Sequence, residues 1–303
     1  MSRRQRIIEL MRGASLEVSA RDPLAGAALA DLVAAGTTVF INVAPGDTPH
    51  AIAAAAARLR RAGFRPVPHV AARPLASFTE LHDHLRRLAG EAGVDTALVI
   101  AGDLDRPAGP FANSFEILST GLFERHGVRR IGLAGYPEGH PKIGARALAD
   151  ALRLKLGLAR QAGLEPFIVT QFGFAAPAIL AFIADCRAGG VAAPVHVGLA
   201  GPASIATLAK FAVRCGIGNS LRQLTSGHTA VARLLTEAGP EAVIHSLAGE
   251  DEGRAVAGLH FFTFGGVHRT ARWLSAAAAG AVDLAEGDSG FRVPIASGRR
   301  SGM

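Results

Sequence analysis

Glu17 is the residue of this chain whose type and setting best suit acid–base chemistry, because its carboxyl group stands inside an apolar run. Its neighbours are Leu16 and Val18, in a stretch typical of a strand. If these neighbours face outward, strand alternation turns the Glu17 side chain to the opposite side. Burial there raises its pKa, so that it can hold a proton and deliver it to a substrate. We therefore predict a catalytic acid, against the alternative of a glutamate paired with an Arg or Lys of the lining.

A glycine and an aspartate, Gly102 and Asp103, follow another strongly apolar run. Glycine lets a ligand approach the backbone closely, and a carboxylate accepts hydrogen bonds from ring N–H or hydroxyl groups. The pair therefore indicates a ligand contact. An ordinary Asx turn or helix cap is the alternative.

The most specific string is residues 136–141, which read Tyr-Pro-Glu-Gly-His-Pro. Two prolines and a glycine restrict this backbone, which holds the side chains of Tyr136 and His140 in place. Tyr136 is the single tyrosine of the chain, and an aromatic ring at the end of a strand can pack on a planar cofactor. The alternative is a rigid loop whose polar groups are incidental.

Gln171 and His69 also end apolar runs. The amide of Gln171 offers a donor and an acceptor, which suits a pterin-like or amide edge, unless it is buried against loop backbone. A lone histidine such as His69 is more often structural than a metal ligand. His82 and His84 stand two residues apart and would diverge on a helix, so we predict no catalytic metal.

The elements that must position these residues follow a repeating pattern. An amphipathic stretch ends at glycine, as at Gly36 and Gly63, and a short β-rich run follows. Glycine enters the left-handed conformation that caps a helix without cost, and the repeat of about 30 residues is the size of one βα unit. The predicted strands are Leu16 to Ser19, Thr38 to Val43, Pro66 to Val70, Thr96 to Ile100, Arg130 to Ala134, Phe167 to Thr170, Pro194 to Gly198 and Gly258 to Phe264.

Eight strands alternating with helices predict a (β/α)8 TIM barrel, an α/β fold whose active site lies at the carboxyl ends of the strands. The alternative, an open doubly wound sheet, would normally carry a glycine-rich phosphate turn after its first strand. Residues 17–22 contain no such turn, so the barrel is favoured.

We predict a single barrel domain over residues 1–285, with a short leading helix over residues 5–13 and another helix over residues 23–35. Residues 219–250 are predicted to be a helical insertion before the eighth strand. The remaining residues, 286–303, are rich in Gly, Ser and Arg and are predicted to form a poorly ordered tail.

The apolar stretches are short, and the longest fall far short of the roughly 20 residues of a membrane span. No signal peptide is evident at the N-terminus. We therefore expect a cytoplasmic protein that does not bind a membrane.

The chain is basic, with 32 Lys and Arg against 25 Asp and Glu, a formal charge of +7. The arginines occur as pairs spread along helices, as at residues 60–61 and 86–87, with little aromatic sequence between them. Nucleic-acid binding needs a basic patch with stacking aromatics, so we expect none and favour mild attraction for an anionic small molecule. The two cysteines, Cys186 and Cys215, are too few for a disulfide scaffold or a multi-cysteine zinc site.

At these residues the sequence resembles the methylenetetrahydrofolate reductase family, from about Leu16 to about Leu274. The tyrosine–histidine loop together with Thr-Gln-Phe at this spacing is the most specific part of the resemblance. The full set of anchors is Glu17, His69, Gly102-Asp103, residues 136–141, Thr170-Gln171-Phe172 and His-Phe-Phe-Thr at residues 260–263.

The resemblance implies an FAD-containing barrel that passes a hydride from NADH or NADPH to flavin and then to 5,10-methylenetetrahydrofolate, giving 5-methyltetrahydrofolate. It implies that Glu17 is the catalytic acid that opens the imidazolidine ring and that Asp103 acts beside the flavin and pterin. The implied folate contacts are Glu17 and Gln171, together with Phe211, which the resemblance places against the nicotinamide or the folate. The implied FAD contacts are His69, Gly102, Asp103, Phe111, Ala112, Tyr136, His140 and Asp150.

The sequence departs from the family pattern where the family contacts FAD or nicotinamide. Ala101 stands where Arg usually precedes Gly-Asp, Ala44 stands near a strand-two Thr, and Arg153 stands near an Asn. Residues 197–201 replace the usual Pro-Gly-x-x-Pro. Two alternatives therefore stay open: the reverse oxidation of 5-methyltetrahydrofolate in one-carbon catabolism, and a flavin-free barrel that only binds folate. NADH versus NADPH and the oligomeric state, including a homo-oligomer, are also left open.

Overall fold

A closed barrel of eight parallel strands forms the centre of the computed structural model, which describes residues 1–217, 237–249, 255–285 and 290–294. The chain closes on itself where the last barrel strand pairs with the first, with Ser15 opposite His260 and Leu16 opposite Phe261. The (β/α)8 prediction is confirmed. The barrel strands are β1 (Ser15–Ser19), β2 (Thr38–Asn42), β3 (Arg65–Ala71), β4 (Thr96–Ile100), β5 (Arg130–Gly135), β6 (Glu165–Thr170), β7 (Val195–Ala200) and β10 (Val256–Phe262).

Helices cover the outside of the barrel and pack on its outward-facing side chains. They are α1 (Arg3–Arg12), α2 (Pro49–Arg61), α3 (Phe78–Ala92), α4 (Ser114–Leu118), α5 (Leu122–Arg125), α6 (Ala145–Gln161), α7 (Ala176–Ala188), α8 (Ile205–Cys215), α9 (Glu241–Gly249) and α10 (Val267–Ala278). Four short strands form two small ribbons outside the barrel: β8 (Ala203–Ser204) pairs with β9 (Glu237–Ala238), and β11 (Asp283–Leu284) with β12 (Phe291–Arg292).

Several helices begin where the sequence supplies a side-chain cap. Thr48 accepts a hydrogen bond from the N–H of Ala51, and Pro49 occupies the first position of α2, where its missing N–H costs nothing. Ser77 caps α3 in the same way, through the N–H of Glu80. These caps fix where α2 and α3 begin.

The helix predicted over residues 23–35 is wrong, because this segment holds only a 3-10 turn, Ala27–Leu29. The Asp22 carboxylate accepts the N–H of Leu24, and this local bond competes with helix formation. Gly26 then takes an extended conformation, which interrupts the helical path.

Arginine side chains tie neighbouring βα units together through backbone carbonyl groups. The guanidinium of Arg58, on α2, donates to the carbonyls of Ala20 and Ala25. That of Arg60 donates to Ala92 and Gly93, at the end of α3. Part of the basic surplus is therefore engaged in holding loops to helices.

Only part of the predicted insertion and tail lies in the described residues. Residues 237–249 contribute β9 and α9, where Glu241 accepts a hydrogen bond of 3.0 Å from the indole N–H of Trp273. The segment predicted as a loose tail from residue 286 includes β12, because the side chain of Phe291 is buried and gives this short strand an anchor. No helix in the described part of the chain is both long and apolar enough to cross a bilayer.

Candidate active site

Glu17 lies inside the barrel, as strand alternation predicted. Leu16 and Val18 are fully buried among the outer helices, and Glu17 points the other way with 7% of its surface exposed. The side-chain N–H of Asn42 donates to Oε1 of Glu17 at 2.9 Å. Within the described residues, Glu17 forms no ion pair with Arg or Lys, which removes the alternative of a glutamate matched to a lining cation.

Two histidines approach the second oxygen of Glu17. Nε2 of His69, on β3, lies 3.5 Å from Oε2, and Nε2 of His260, on β10, lies 3.7 Å from it. We call Glu17, Asn42, His69 and His260 the inner cluster. Four of its buried polar atoms have no hydrogen-bond partner in the structure: Oε2 of Glu17, Oδ1 of Asn42 and Nε2 of both histidines. A buried site with several unpaired polar atoms is suited to receive a polar ligand or a proton.

The predicted rise in the pKa of Glu17 is wrong. Burial by itself raises this pKa, but interactions with His260, His69 and Asn42 together outweigh burial and lower it. Burial lowers the pKa of His69 to about 4, although the nearby Glu17 carboxylate raises it. Near neutral pH the Glu17 carboxyl is therefore ionised and His69 is neutral. The sequence showed the burial, whereas the polar groups that offset it come from three other strands, β2, β3 and β10.

The surroundings hold the inner cluster in place. Nδ1 of His260 lies 3.0 Å from the hydroxyl oxygen of Ser15, its partner across the strand pair. The ring of Phe40 packs against that of His260, with centroids 4.4 Å apart. The hydroxyl of Thr263 donates to the carbonyl of Glu17 at 2.8 Å. An apolar layer lines the barrel beside the cluster and is formed by Phe40, Val67, Leu98, Phe167 and Val169.

The Gly102-Asp103 pair lies on the rim of the mouth, after β4. Gly102 has a φ of +89°, and a Cβ there would come within 3.2 Å of Ala71 and Pro74, so only glycine lets this loop cross the end of β3. The carboxylate of Asp103 is 88% exposed and accepts a hydrogen bond of 3.2 Å from the guanidinium of Arg214, on α8. Asp103 is thus on the rim and outside the inner cluster.

A second ion pair stands beside the first. Lys142, in the loop after β5, lies 2.8 Å from the carboxylate of Asp105. We call Asp103–Arg214 and Asp105–Lys142 the rim pairs. Helix α8 also meets the β5 loop directly, since a Cβ on Gly216 would come within 2.7 Å of the ring of Pro141. The rim therefore joins the loops after β4 and β5 to α8.

Tyr136 and His140 form an aromatic corner in the loop after β5. Their ring centroids are 5.3 Å apart with the planes almost perpendicular. The N–H of Gly139 donates to the carbonyl of Tyr136 and closes the turn. Burial raises the pKa of Tyr136, and Asp103 and Cys215 raise it further. Burial lowers the pKa of His140, helped by Lys142 and Arg73.

Two of the predicted FAD contacts are already engaged with protein groups. The carbonyl of Ala112 accepts a hydrogen bond of 2.8 Å from Arg73, and its N–H donates to the carboxylate of Glu116.

Asp150 lies on α6, where it pairs with Arg153 and approaches Arg146. Phe111 is buried and its ring meets that of Phe78 edge-on.

An aromatic patch covers the β6–β10 side of the mouth. Phe211, on α8, stacks on Phe264 with centroids 4.0 Å apart and planes 14° apart. Phe172 meets Phe264 edge-on at 4.7 Å. Gln171 stands beside this patch and its Oε1 accepts the N–H of Phe172 at 3.1 Å. The sequence predictions thus fall in three places: Glu17 and His69 inside, Asp103 with Tyr136 on the rim, and Gln171 with Phe211 on the aromatic side.

The sequence indicated Asn42 only as a polar residue at a strand end and His260 only as part of a family-like string, and assigned neither a specific role. Asn42 ends β2 one strand away from Glu17, and His260 opens the His-Phe-Phe-Thr string of β10. The available signal was barrel closure, which makes the first and last strands neighbours. The described residues contain no group of three or more His, Cys, Asp or Glu side chains placed to hold a metal ion.

One comparison with known proteins adds to this geometry. A family model described as methylenetetrahydrofolate reductase matches residues 30–275, most of the chain. The match runs from before β2 into α10, so the rim, the aromatic patch and three members of the inner cluster lie within it, whereas Glu17 precedes it. This family consists of TIM-barrel oxidoreductases of folate metabolism, in agreement with the barrel described above. The chain belongs to the methylenetetrahydrofolate reductase family.

Proposed function

We propose that this protein catalyses the flavin-dependent reduction of 5,10-methylenetetrahydrofolate to 5-methyltetrahydrofolate, with NADH or NADPH as donor. Family membership supports the folate substrate class. The observation that carries the proposal is Glu17, a buried carboxyl group at the barrel mouth that no Arg or Lys of the described chain neutralises. Such a group is available to exchange a proton with a ligand.

The rim fits a planar anionic cofactor. Tyr136 and His140 offer ring faces and edges, Gly102 allows close approach to the backbone, and Lys142 and Arg214 supply positive charge. We propose that FAD is held here, with His69, Asp103, Phe111, Ala112 and Asp150 as its further contacts. For Ala112 and Asp150 this requires exchange of the present partners, Glu116 and Arg153. When bound, FAD supplies hydride transfer, which side chains alone do not perform.

The side chains then have separate tasks. Glu17 delivers the proton that opens the imidazolidine ring of the substrate to a reactive iminium. Because Glu17 is ionised in the free protein, it must take up a proton when the bound folate covers the mouth and excludes water, which favours the neutral acid. Asp103 accepts hydrogen bonds from the pterin and is freed from Arg214 to do so. Gln171 donates to and accepts from the folate, and Phe211 stacks on a ring.

Anaerobic reduction of the FAD-loaded protein tests the proposal. NADH or NADPH should bleach the flavin absorbance, and methylenetetrahydrofolate should restore it with formation of 5-methyltetrahydrofolate. A protein that binds folate but takes up no FAD would instead be a folate-binding barrel, the candidate favoured by the occupied backbone groups of Ala112.

The ionised state of Glu17 favours a second candidate, the oxidation of 5-methyltetrahydrofolate. In that direction the carboxylate accepts the proton that it would otherwise deliver. A flavin that is reduced by 5-methyltetrahydrofolate and by neither NADH nor NADPH would establish this direction and reject the first.

A further inference from the structure

We propose that Asn42 is a positioning residue whose amide group serves both protonation states of Glu17. This role rests on the proposed function, because it concerns the proton that Glu17 exchanges with the folate. Asn42 touches neither substrate nor cofactor in this scheme and acts only through the Glu17 carboxyl group.

The hydrogen bond from Asn42 is the shortest polar contact of the Glu17 carboxyl group. It spans 2.9 Å, whereas His69 and His260 lie 3.5 and 3.7 Å from the carboxylate, too far for a good hydrogen bond. Asn42 therefore makes the close hydrogen bond to Oε1, whereas His69 and His260 face Oε2 at longer range and also lower the pKa of Glu17.

The amide oxygen of Asn42 allows the contact with Glu17 to persist when Glu17 changes its protonation state. Oδ1 of Asn42 is buried and has no partner in the structure. An amide carries two donors on its nitrogen and an acceptor on its oxygen. With Glu17 ionised, the nitrogen donates to Oε1. With a proton on Oε1, a half-turn of the amide brings Oδ1 into place to accept it. Neither state leaves Oε1 unpaired.

The charged and titratable groups around Glu17 come from the neighbouring strands. His69 faces it from β3 and His260 from β10. His196, on β7, is close enough to His260 for the two to interact electrostatically, and the hydroxyl of Ser15, on β1, lies 3.0 Å from Nδ1 of His260. These groups determine the electrostatic environment of Glu17. They are still present when only Asn42 is substituted, so the effect of Asn42 can be measured separately.

Three substitutions separate a positioning role from a packing role. Asn42→Leu keeps the size and removes both hydrogen-bonding ends. Asn42→Asp places a second carboxyl group beside Glu17, so that the two share a proton. Asn42→Ser keeps a hydroxyl that can donate or accept. Thr270→Val is the matched control, because it replaces a buried, unpaired hydroxyl outside the inner cluster with a group of the same shape.

The first measurement is an infrared titration of the full chain carrying isotope-labelled glutamate, which reads the carboxyl groups without turnover. We expect the Glu17 midpoint to rise by about one pH unit in Asn42→Leu and by more in Asn42→Asp. It should return toward the native value in Asn42→Ser and stay native in Thr270→Val. A native midpoint in folded Asn42→Leu, or an equal shift in Thr270→Val, would overturn the proposal.

The second measurement is the pH dependence of the folate half-reaction of the FAD-loaded protein. Its profile should move with the infrared midpoint, while flavin reduction by NADH or NADPH keeps its native rate. A midpoint that moves without the profile would limit Asn42 to holding the carboxylate and reject its part in proton exchange. If the wild type shows no folate reaction, the proposed function fails while the infrared titration still decides the Asn42–Glu17 contact. If Asn42→Leu does not fold, the Asn42→Asp and Asn42→Ser midpoints give the same decision.

Discussion

The inner cluster and the rim pairs lie at the same end of the barrel and hold their charges in opposite ways. Inside, Glu17 and His260 are almost completely buried, and contacts with neighbouring side chains dominate the protonation state of Glu17. On the rim, the carboxylates of Asp103 and Asp105 are 88% and 85% exposed, and water screens them from their partners. The site for proton exchange and the entrance for ligands are therefore separate: the buried groups control a proton, and the exposed ion pairs can open for a ligand at small cost.

Removing the carboxyl group of the inner cluster should give the largest effect. In Glu17→Gln we expect the folate half-reaction to slow by about 10²–10⁴-fold, since a positioned acid contributes that much. Flavin reduction by NADH or NADPH should be unchanged. Stopped-flow measurement of both half-reactions checks this. Equal losses in the two half-reactions would show that Glu17 only maintains the barrel structure. The inner cluster would then have no special part in proton transfer.

The buried histidines should give the next largest effect, on stability. His69 and His84 have pKa values of about 4 because burial disfavours their charged forms, whereas in the unfolded chain each titrates near 6.5. Between these values the unfolded state binds more protons, so the free energy of unfolding falls as the pH drops from about 6.5 to about 4. The loss is about 3 kcal/mol for each histidine. Denaturant unfolding at several pH values measures it.

Two variants show where this pH dependence arises. His84→Leu removes one buried imidazole outside the active site and should flatten the decline by one histidine's share. Arg214→Gln breaks a rim pair and should leave the decline unchanged. A steeper or flatter decline in Arg214→Gln would mean that the rim is electrically linked to the interior, against the separation described above.

The smallest effect is expected at the rim itself. Arg214→Gln removes the partner of Asp103, and we expect the KM for folate to change by less than about tenfold, because exposed ion pairs are weak. The difference from wild type should vanish as salt is raised, since salt screens the native pair. A change of several hundredfold, or one that is independent of salt, would identify Arg214 as a direct ligand of the substrate.

The sequence predicted the barrel well because the signals for each βα unit lie within the unit itself. Glycine at the end of a helix and a short apolar run after it require no distant contact, and the eight predicted strands match the barrel strands to within a few residues. The failure over residues 23–35 was also local: the apolar pattern outweighed Asp22, whose side chain stabilises a turn. Alternation along β1 was enough to place Glu17 inside.

The electrostatics of the site could not be obtained in the same way. The groups that lower the pKa of Glu17 are provided by β2, β3 and β10, and His260 is far from Glu17 in sequence. Burial was visible from the neighbours of Glu17, so the predicted direction followed burial alone. The engagement of Ala112 by Arg73 and Glu116 is likewise a product of loop packing.

The arginine ties of the outer layer explain a choice of residue. Only three of the 32 basic residues are lysines, namely Lys142, Lys155 and Lys210. A guanidinium is a planar fork that can hold two carbonyl oxygens at once, as Arg58 and Arg60 do, whereas an ammonium is a single point of charge. A chain with lysine at those two positions would keep its net charge and lose these fasteners between adjacent units. At these two positions the hydrogen-bonding geometry of arginine matters more than its charge, because it connects adjacent βα units.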